Sequence, residues 1–86
     1  MIVGSMESNQ DLEIKILSIV ESRDGVHLRE LLTAIRVGFS RLRQVLEALE
    51  EKGEVVIKKH GGYTFVAITD NGRKRLLEAR GEVEEA

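Results

Sequence analysis

The chain contains no cysteine and no proline. Without thiols there is no disulfide framework and no thiolate metal site, the usual staples of a very small secreted domain, so side-chain packing has to hold the fold together. No apolar run approaches the roughly 20 residues that a membrane-spanning helix needs. The opening residues Met1-Ile2-Val3-Gly4-Ser5-Met6 also lack the basic and apolar regions of a secretory signal. These absences lead to the expectation of a cytoplasmic protein with no membrane partner. An excess of positive charge is missing too. Lys and Arg number 13 against 15 Asp and Glu, a formal net charge of −2, and the pI is about 5.7. Attraction of a polyanion by net charge is thereby excluded, and only a local basic excess could provide it.

What is present suits one globular domain. A chain of 86 residues can enclose one hydrophobic core and not two, and 42% hydrophobic with 33% charged residues is a globular balance. Residues 1–10 read as a flexible N-terminus, 11–80 as the domain and 81–86 as a frayed acidic tail. Within the domain, Leu12, Ile16, Ile19 and Val20 fall on one face of a first helix over residues 11–22, with Leu17 beside them. Ile14 points away from that stripe, either as a single exposed residue or as part of a surface for a partner helix. After Arg23-Asp24-Gly25, the i, i+3, i+4, i+7 spacing of Leu28, Leu31, Leu32 and Ile35 predicts a short second helix. Gly38 is placed as its left-handed stop, Phe39 as packing under the turn, and Ser40 as the cap of a third helix. That helix carries Leu42, Val45, Leu46 and Leu49 and ends at Lys52-Gly53.

Beyond Gly53 the pattern becomes extended. Residues 54–59 and 63–68 are rich in Val, Ile, Phe, Tyr and Thr, and His60-Gly61-Gly62 between them predicts a β-hairpin. Tyr63 and Phe65 are assigned by default to the core, with an exposed Tyr63 as the alternative that could touch a sugar or base. Thr69 or Asp70 then caps a last helix bearing Leu76 and Leu77. The expected fold class is α+β, mainly α.

This order, with the segments Leu28-Arg29-Glu30-Leu31-Leu32, Gly38-Phe39-Ser40 and Val45-Leu46-Glu47-Ala48-Leu49-Glu50-Glu51-Lys52-Gly53, resembles the winged helix-turn-helix regulators of bacteria and archaea. The likeness covers roughly residues 12–77, and Ile68-Thr69-Asp70-Asn71-Gly72-Arg73 looks like the Thr-x-x-Gly-Arg opening of the helix that follows the wing in that family. One departure is His27, a poorer helix cap than the usual Ser or Thr. The resemblance implies that the third helix enters the major groove of double-stranded DNA, that the hairpin is the wing, and that the protein is a small transcription regulator.

Helix phase gives the candidate contacts. At roughly 100° per residue, Ser40, Gln44 and Glu47 lie opposite the apolar stripe of the third helix, with Arg41 and Arg43 on its flanks. Arg can donate two hydrogen bonds to guanine, Gln can pair with adenine, and Ser at a helix start can meet a phosphate. Glu47, Glu50 and Glu51 oppose phosphate, so the N-terminal half of the helix is expected to approach the DNA. Arg36 adds to a stretch, residues 36–44, that has three arginines and no acid. Lys58, Lys59, His60 and Gly61 form the basic hairpin tip, expected to meet the DNA backbone or minor groove, with a charged edge that prevents aggregation as the alternative. In the run Arg73-Lys74-Arg75, helix geometry lets at most part of the cluster face one partner.

No catalytic constellation is present in the sequence. His27 and His60 stand far apart, no metal-ligand spacing occurs, and Gly61-Gly62 lacks the strand-to-helix context of a phosphate loop. The expectation is therefore no enzyme, no cofactor, no metal and no small-molecule ligand. A homodimer through the first or last helix is expected, because two half-sites give a small module more DNA surface. The alternatives are a protein-interaction module within a larger assembly, which the acidic pI favours, and RNA binding through the hairpin.

Overall fold

The computed structural model describes residues 9–81; the predicted flexible residues 1–8 and the tail residues 82–86 lie outside the described residues. The elements are α1 (Asn9–Arg23), β1 (Val26–His27), α2 (Leu28–Ala34), α3 (Phe39–Glu51), β2 (Val55–His60), β3 (Tyr63–Ile68) and α4 (Asp70–Arg80). The fold is α+β and mainly helical, with an antiparallel three-stranded sheet in the order β1-β3-β2. No helix among the described residues is long and apolar enough to cross a membrane.

The apolar stripes meet as their spacing requires. Leu12, Ile16, Leu17 and Val20 of α1 close on Leu31 of α2, on Leu42, Val45, Leu46 and Leu49 of α3, on Val26, Val55 and Val66 of the sheet and on Leu76 of α4. Burying each such side chain is worth about 1.5–3 kcal/mol relative to leaving it exposed. Ile14 is half-buried and packs against this cluster, so it is neither freely exposed nor clear of the core.

Several local expectations are corrected. The strand β1 is too short for a periodicity signal; it exists because Val26 pairs with Val66 and His27 with Phe65. Gly38 is no left-handed stop. It has φ −67° and ψ 157° and serves as the N-cap of α3, which puts Ser40 inside the first turn rather than before it. The preceding helix needs no glycine to end, because Ile35 turns extended at φ −118° and ψ 126° and its side chain is buried in the core. Phe39 does not pack under the turn and is 51% exposed. Tyr63 and Phe65 do not face the core either. Val66, buried and paired with Val26, fixes the inward face of β3, and the pleat turns Tyr63 and Phe65 to the opposite side. The turn itself is Gly61-Gly62, flanked by the His60 and Tyr63 pair, with φ +61° at Gly61 as a tight hairpin requires.

The start of α4 is locked to the start of β2. The Thr69 amide donates to the Glu54 carbonyl at 3.0 Å. The Thr69 hydroxyl donates to the Gly53 carbonyl at 2.6 Å and accepts from the Gly72 amide at 3.1 Å, so one side chain caps the helix and ties it to the strand. A Cβ at Gly72 would collide with the Glu54 carbonyl and with Ile68.

Among the described residues, one buried charged side chain lies in this interior. Glu13 is 6% exposed on the core side of α1. Its carboxylate accepts from Lys52 Nζ at 3.0 and 3.2 Å and pairs with the Arg75 guanidinium at 2.6 Å. Arg75 also donates to Glu54 at 2.7 Å. Burial alone would raise the Glu13 pKa, but the hydrogen bonds and charges of Lys52 and Arg75 outweigh it and hold the carboxyl below its ordinary value. For Arg75, burial acts against the cation, and Glu54 and Glu13 more than restore it, leaving its pKa raised. Arg75 therefore leaves the surface basic run of which the sequence makes it part.

Two stability predictions follow from this packing. Gly72→Ala forces the α4 N-terminus away from the Glu54 carbonyl and should cost about 1–3 kcal/mol in urea denaturation. Because the folded pKa of Glu13 is depressed, its contribution is complete above the ordinary carboxylate range and lost as pH falls through the folded value. Glu13→Gln should therefore destabilise the protein at neutral pH by roughly 1–2 kcal/mol, because Lys52 is half exposed and Arg75 keeps Glu54, and flatten the acid limb of its stability profile, both read from denaturation midpoints at stepped pH.

Candidate nucleic-acid interface

The outward side of α3 is divided by charge along its length. Ser40, Arg41, Arg43 and Gln44 are exposed in its N-terminal half, and Glu47, Glu50 and Glu51 are exposed in its C-terminal half. Four buried residues, Leu42, Val45, Leu46 and Leu49, set this phase by anchoring the opposite side. The first turn holds no acid, and the Gly38 cap supplies no side-chain acceptor to its amides. The positive end of the helix dipole thus coincides with Arg41 and Arg43, and an anion is favoured at this end and disfavoured at the other.

Arg43 is not independent of the acidic half. Its Nε donates to Glu47 Oε2 at 3.2 Å across one helical turn, and both side chains are largely exposed. An exposed pair of this kind is worth little to stability, yet it occupies the guanidinium that a base or phosphate would need. Glu47, predicted on the reading face, acts here as the partner of Arg43. Arg36 is exposed in the link between α2 and α3.

The hairpin residues do not act as one cluster. Paired positions share a sheet face, so Lys59 and Thr64 lie with Ile57 on the inward side, whereas Lys58 and His60 lie with Phe65 and Tyr63 on the other. On the inward side, Lys59, Thr64 and Ile57 face Arg43, Glu47 and Glu50 across an open cleft of about 610 Å³, with Leu28, Phe39 and Leu46 as its apolar floor. Gly61 is exposed at the hairpin tip, where added atoms would meet open space. The structure thus brings Arg43, Glu47 and Lys59 together, sets Ser40, Arg41 and Gln44 beside them on α3, and separates Lys58 and His60.

Sequence reasoning missed the apolar floor. Phe39 was readable as surface only once Gly38 was known to be the cap, and Leu28 joins Ile57 through tertiary packing that no local pattern reports. His27, weighed only as a weak cap, lies at the N-cap of α2, where its amide donates to the Glu30 carboxylate at 2.9 Å. Among the described residues, no group of three or more His, Asp or Glu side chains is placed to hold a metal ion.

Comparison with known proteins finds no family model, no curated protein and no solved structure that matches the chain.

The Arg43 and Glu47 pair gives a sharp test. If Arg43 is the working cation and Glu47 its competitor, Glu47→Gln should tighten binding to mixed-sequence duplex DNA several-fold, the change expected from removing one like charge beside a phosphate contact. Fluorescence anisotropy at fixed salt reads this, and weaker binding would identify Glu47 as a contact in its own right.

Proposed function

We propose that the protein binds double-stranded DNA as a winged helix-turn-helix module and regulates transcription, with the N-terminal half of α3 in the major groove and the β2-β3 hairpin as the wing. The observation that carries this reading is the concentration of Ser40, Arg41, Arg43 and Gln44 at the acid-free end of one exposed helix, beside the hairpin that brings Lys59 across the cleft. The element order and the Thr69-Asp70-Asn71-Gly72-Arg73 start of α4 support it, since both suit a helix-turn-helix followed by a hairpin and a supporting helix.

In this arrangement the dipole and amides of α3 meet a phosphate, Arg43 and Gln44 reach base edges, and Lys59 holds the backbone on the far side of the cleft. Arg41, Arg36 and the Gly61 tip add backbone contacts. The acidic half of α3 points along the groove exit, which sets the polarity of docking. The net charge of −2 does not oppose this, because the charge is unevenly spread: residues 36–44 hold Arg36, Arg41 and Arg43 and no acid. A second copy would extend the site, with half-exposed Leu77 on the last helix or half-buried Ile14 on the first as the apolar residues it could cover.

One observation favours a second reading, a protein-interaction module. Glu47, Glu50 and Glu51 form an acidic surface beside an apolar-floored cleft, which suits a basic, partly apolar peptide.

Titration of labelled duplexes at two salt concentrations separates the readings. Specific or general DNA binding should weaken with salt, and Arg43→Ala and Arg41→Ala should each lower affinity and reduce the log–log salt slope by about 0.9. Absence of binding at low salt would instead select the protein-interaction reading.

A further inference from the structure

The outer face of the sheet is a second surface, separate from the α3 cleft. It carries Tyr63, Phe65 and Ala67 of β3, Val56, Lys58 and His60 of β2, and His27 of β1. The His27 ring lies 5.8 Å from Tyr63 and 5.4 Å from Phe65, edge-on to the latter. Tyr63 is 69% exposed and Val56 41%. Phe65 is half-buried, its ring lying over Gly25, whereas Tyr63 beside it stands in water on the side of the sheet away from the core, where packing does not account for it. Of one Tyr and two Phe in the chain, this face takes Tyr63 and Phe65.

The charges around the rings are mostly positive. Lys58 pairs across the strands with Phe65, and His60 with Tyr63. Arg29 and Arg23 line a hollow of about 630 Å³ with His27 and Tyr63. Glu30 is the acid of that lining, and its carboxylate is engaged by the His27 amide at 2.9 Å and by Arg23 at 3.5 Å.

We propose that this face binds single-stranded nucleic acid, with Tyr63 and Phe65 stacking on unpaired bases while Lys58 and Arg29 hold the flanking phosphates. Alternate residues of a strand stand about 7 Å apart on one face, a separation that admits bases splayed from one another and not the closed stack of a duplex. Aromatic rings on a sheet flanked by cations are the general chemistry of such recognition, and it tolerates sequence because every base has a π-face. The edge-on contact of His27 holds the Phe65 ring in place. An apolar protein partner would account for the rings but not for the surrounding cations; charge complementarity selects the polyanion.

The test uses the protein's own reporter, since Tyr63 is its single tyrosine and there is no tryptophan. Oligo-uridylate and oligo-deoxyuridylate of about eight nucleotides are titrated into the full chain while Tyr63 emission is followed, with labelled strands read by anisotropy in parallel. Saturable quenching is expected. Tyr63→Ala should weaken strand binding about 5-fold or more, Tyr63→Phe should retain it, Lys58→Ala should lower its salt dependence, and Arg43→Ala should leave it unchanged. Equal affinity for the two strands means that the 2′-hydroxyl is not read, and preference for uridylate means that it is; both support the site. Three results overturn it: no quenching at low salt, equal loss in Arg43→Ala, which moves the strand to α3, or emission that changes with protein concentration alone, which gives the face to a second copy.

Discussion

A carboxylate placed among Leu12, Ile16 and Leu17 has to be neutralised, and the way this chain does so with Glu13 sets the arrangement of everything else. Its two cationic partners come from distant places, Lys52 from the end of α3 and Arg75 from the second turn of α4. Arg75 in turn reaches Glu54 at the entry to β2. The network therefore pins the first helix, the last helix and the junction between α3 and the hairpin to one point. A buried ionic group of this kind adds little net stability over an apolar replacement. Its effect is geometric, since any other docking of α4 on α1 would strand a charge.

The same junction is clamped from its other side. Gly53, Glu54, Thr69 and Gly72 form a lattice of backbone and hydroxyl hydrogen bonds in which a side chain at position 72 has no room. Between the charge network and this lattice, the angle between α3 and the hairpin is fixed, and so is the width of the cleft in which Arg43 and Lys59 face each other. Two sheet faces then carry different chemistry. The inward side continues the core into that cleft, and the outward side presents rings and cations. This division comes directly from the strand pleat, because neighbouring lysines on one strand cannot serve the same surface.

Much of the architecture was legible before any coordinates. Four helical segments and the hairpin were readable because Leu, Ile and Val recur at the spacing that burial demands, and the outward phase of Ser40, Arg43 and Gln44 came from the same stripe. The failures have particular causes. β1 has two residues, too few for a period, and owes its existence to pairing with a strand distant in the chain. A glycine after an apolar run suggests a left-handed stop, yet at Gly38 it caps the next helix, because the buried Ile35 ends α2 by turning extended. Residue type alone suggests the core for Tyr63 and Phe65, but the Gly61-Gly62 turn and the inward Val55 and Ile57 fix their face by counting. No local signal marks Glu13 or Arg75, because the partners of each lie far along the chain.

The closure of the first helix by the last also has a temporal meaning. Ser18 of α1 accepts a hydrogen bond from Arg80, Glu13 awaits Arg75, and the central strand β3 must form before β1 can exist. During synthesis, α1, α2 and α3 emerge with their apolar stripes lacking the sheet, and Glu13 can meet Lys52 but not Arg75 until α4 has followed. Assembly of the domain is therefore a late event for each molecule, and the α3 surface acquires its fixed setting at the moment the final helix docks.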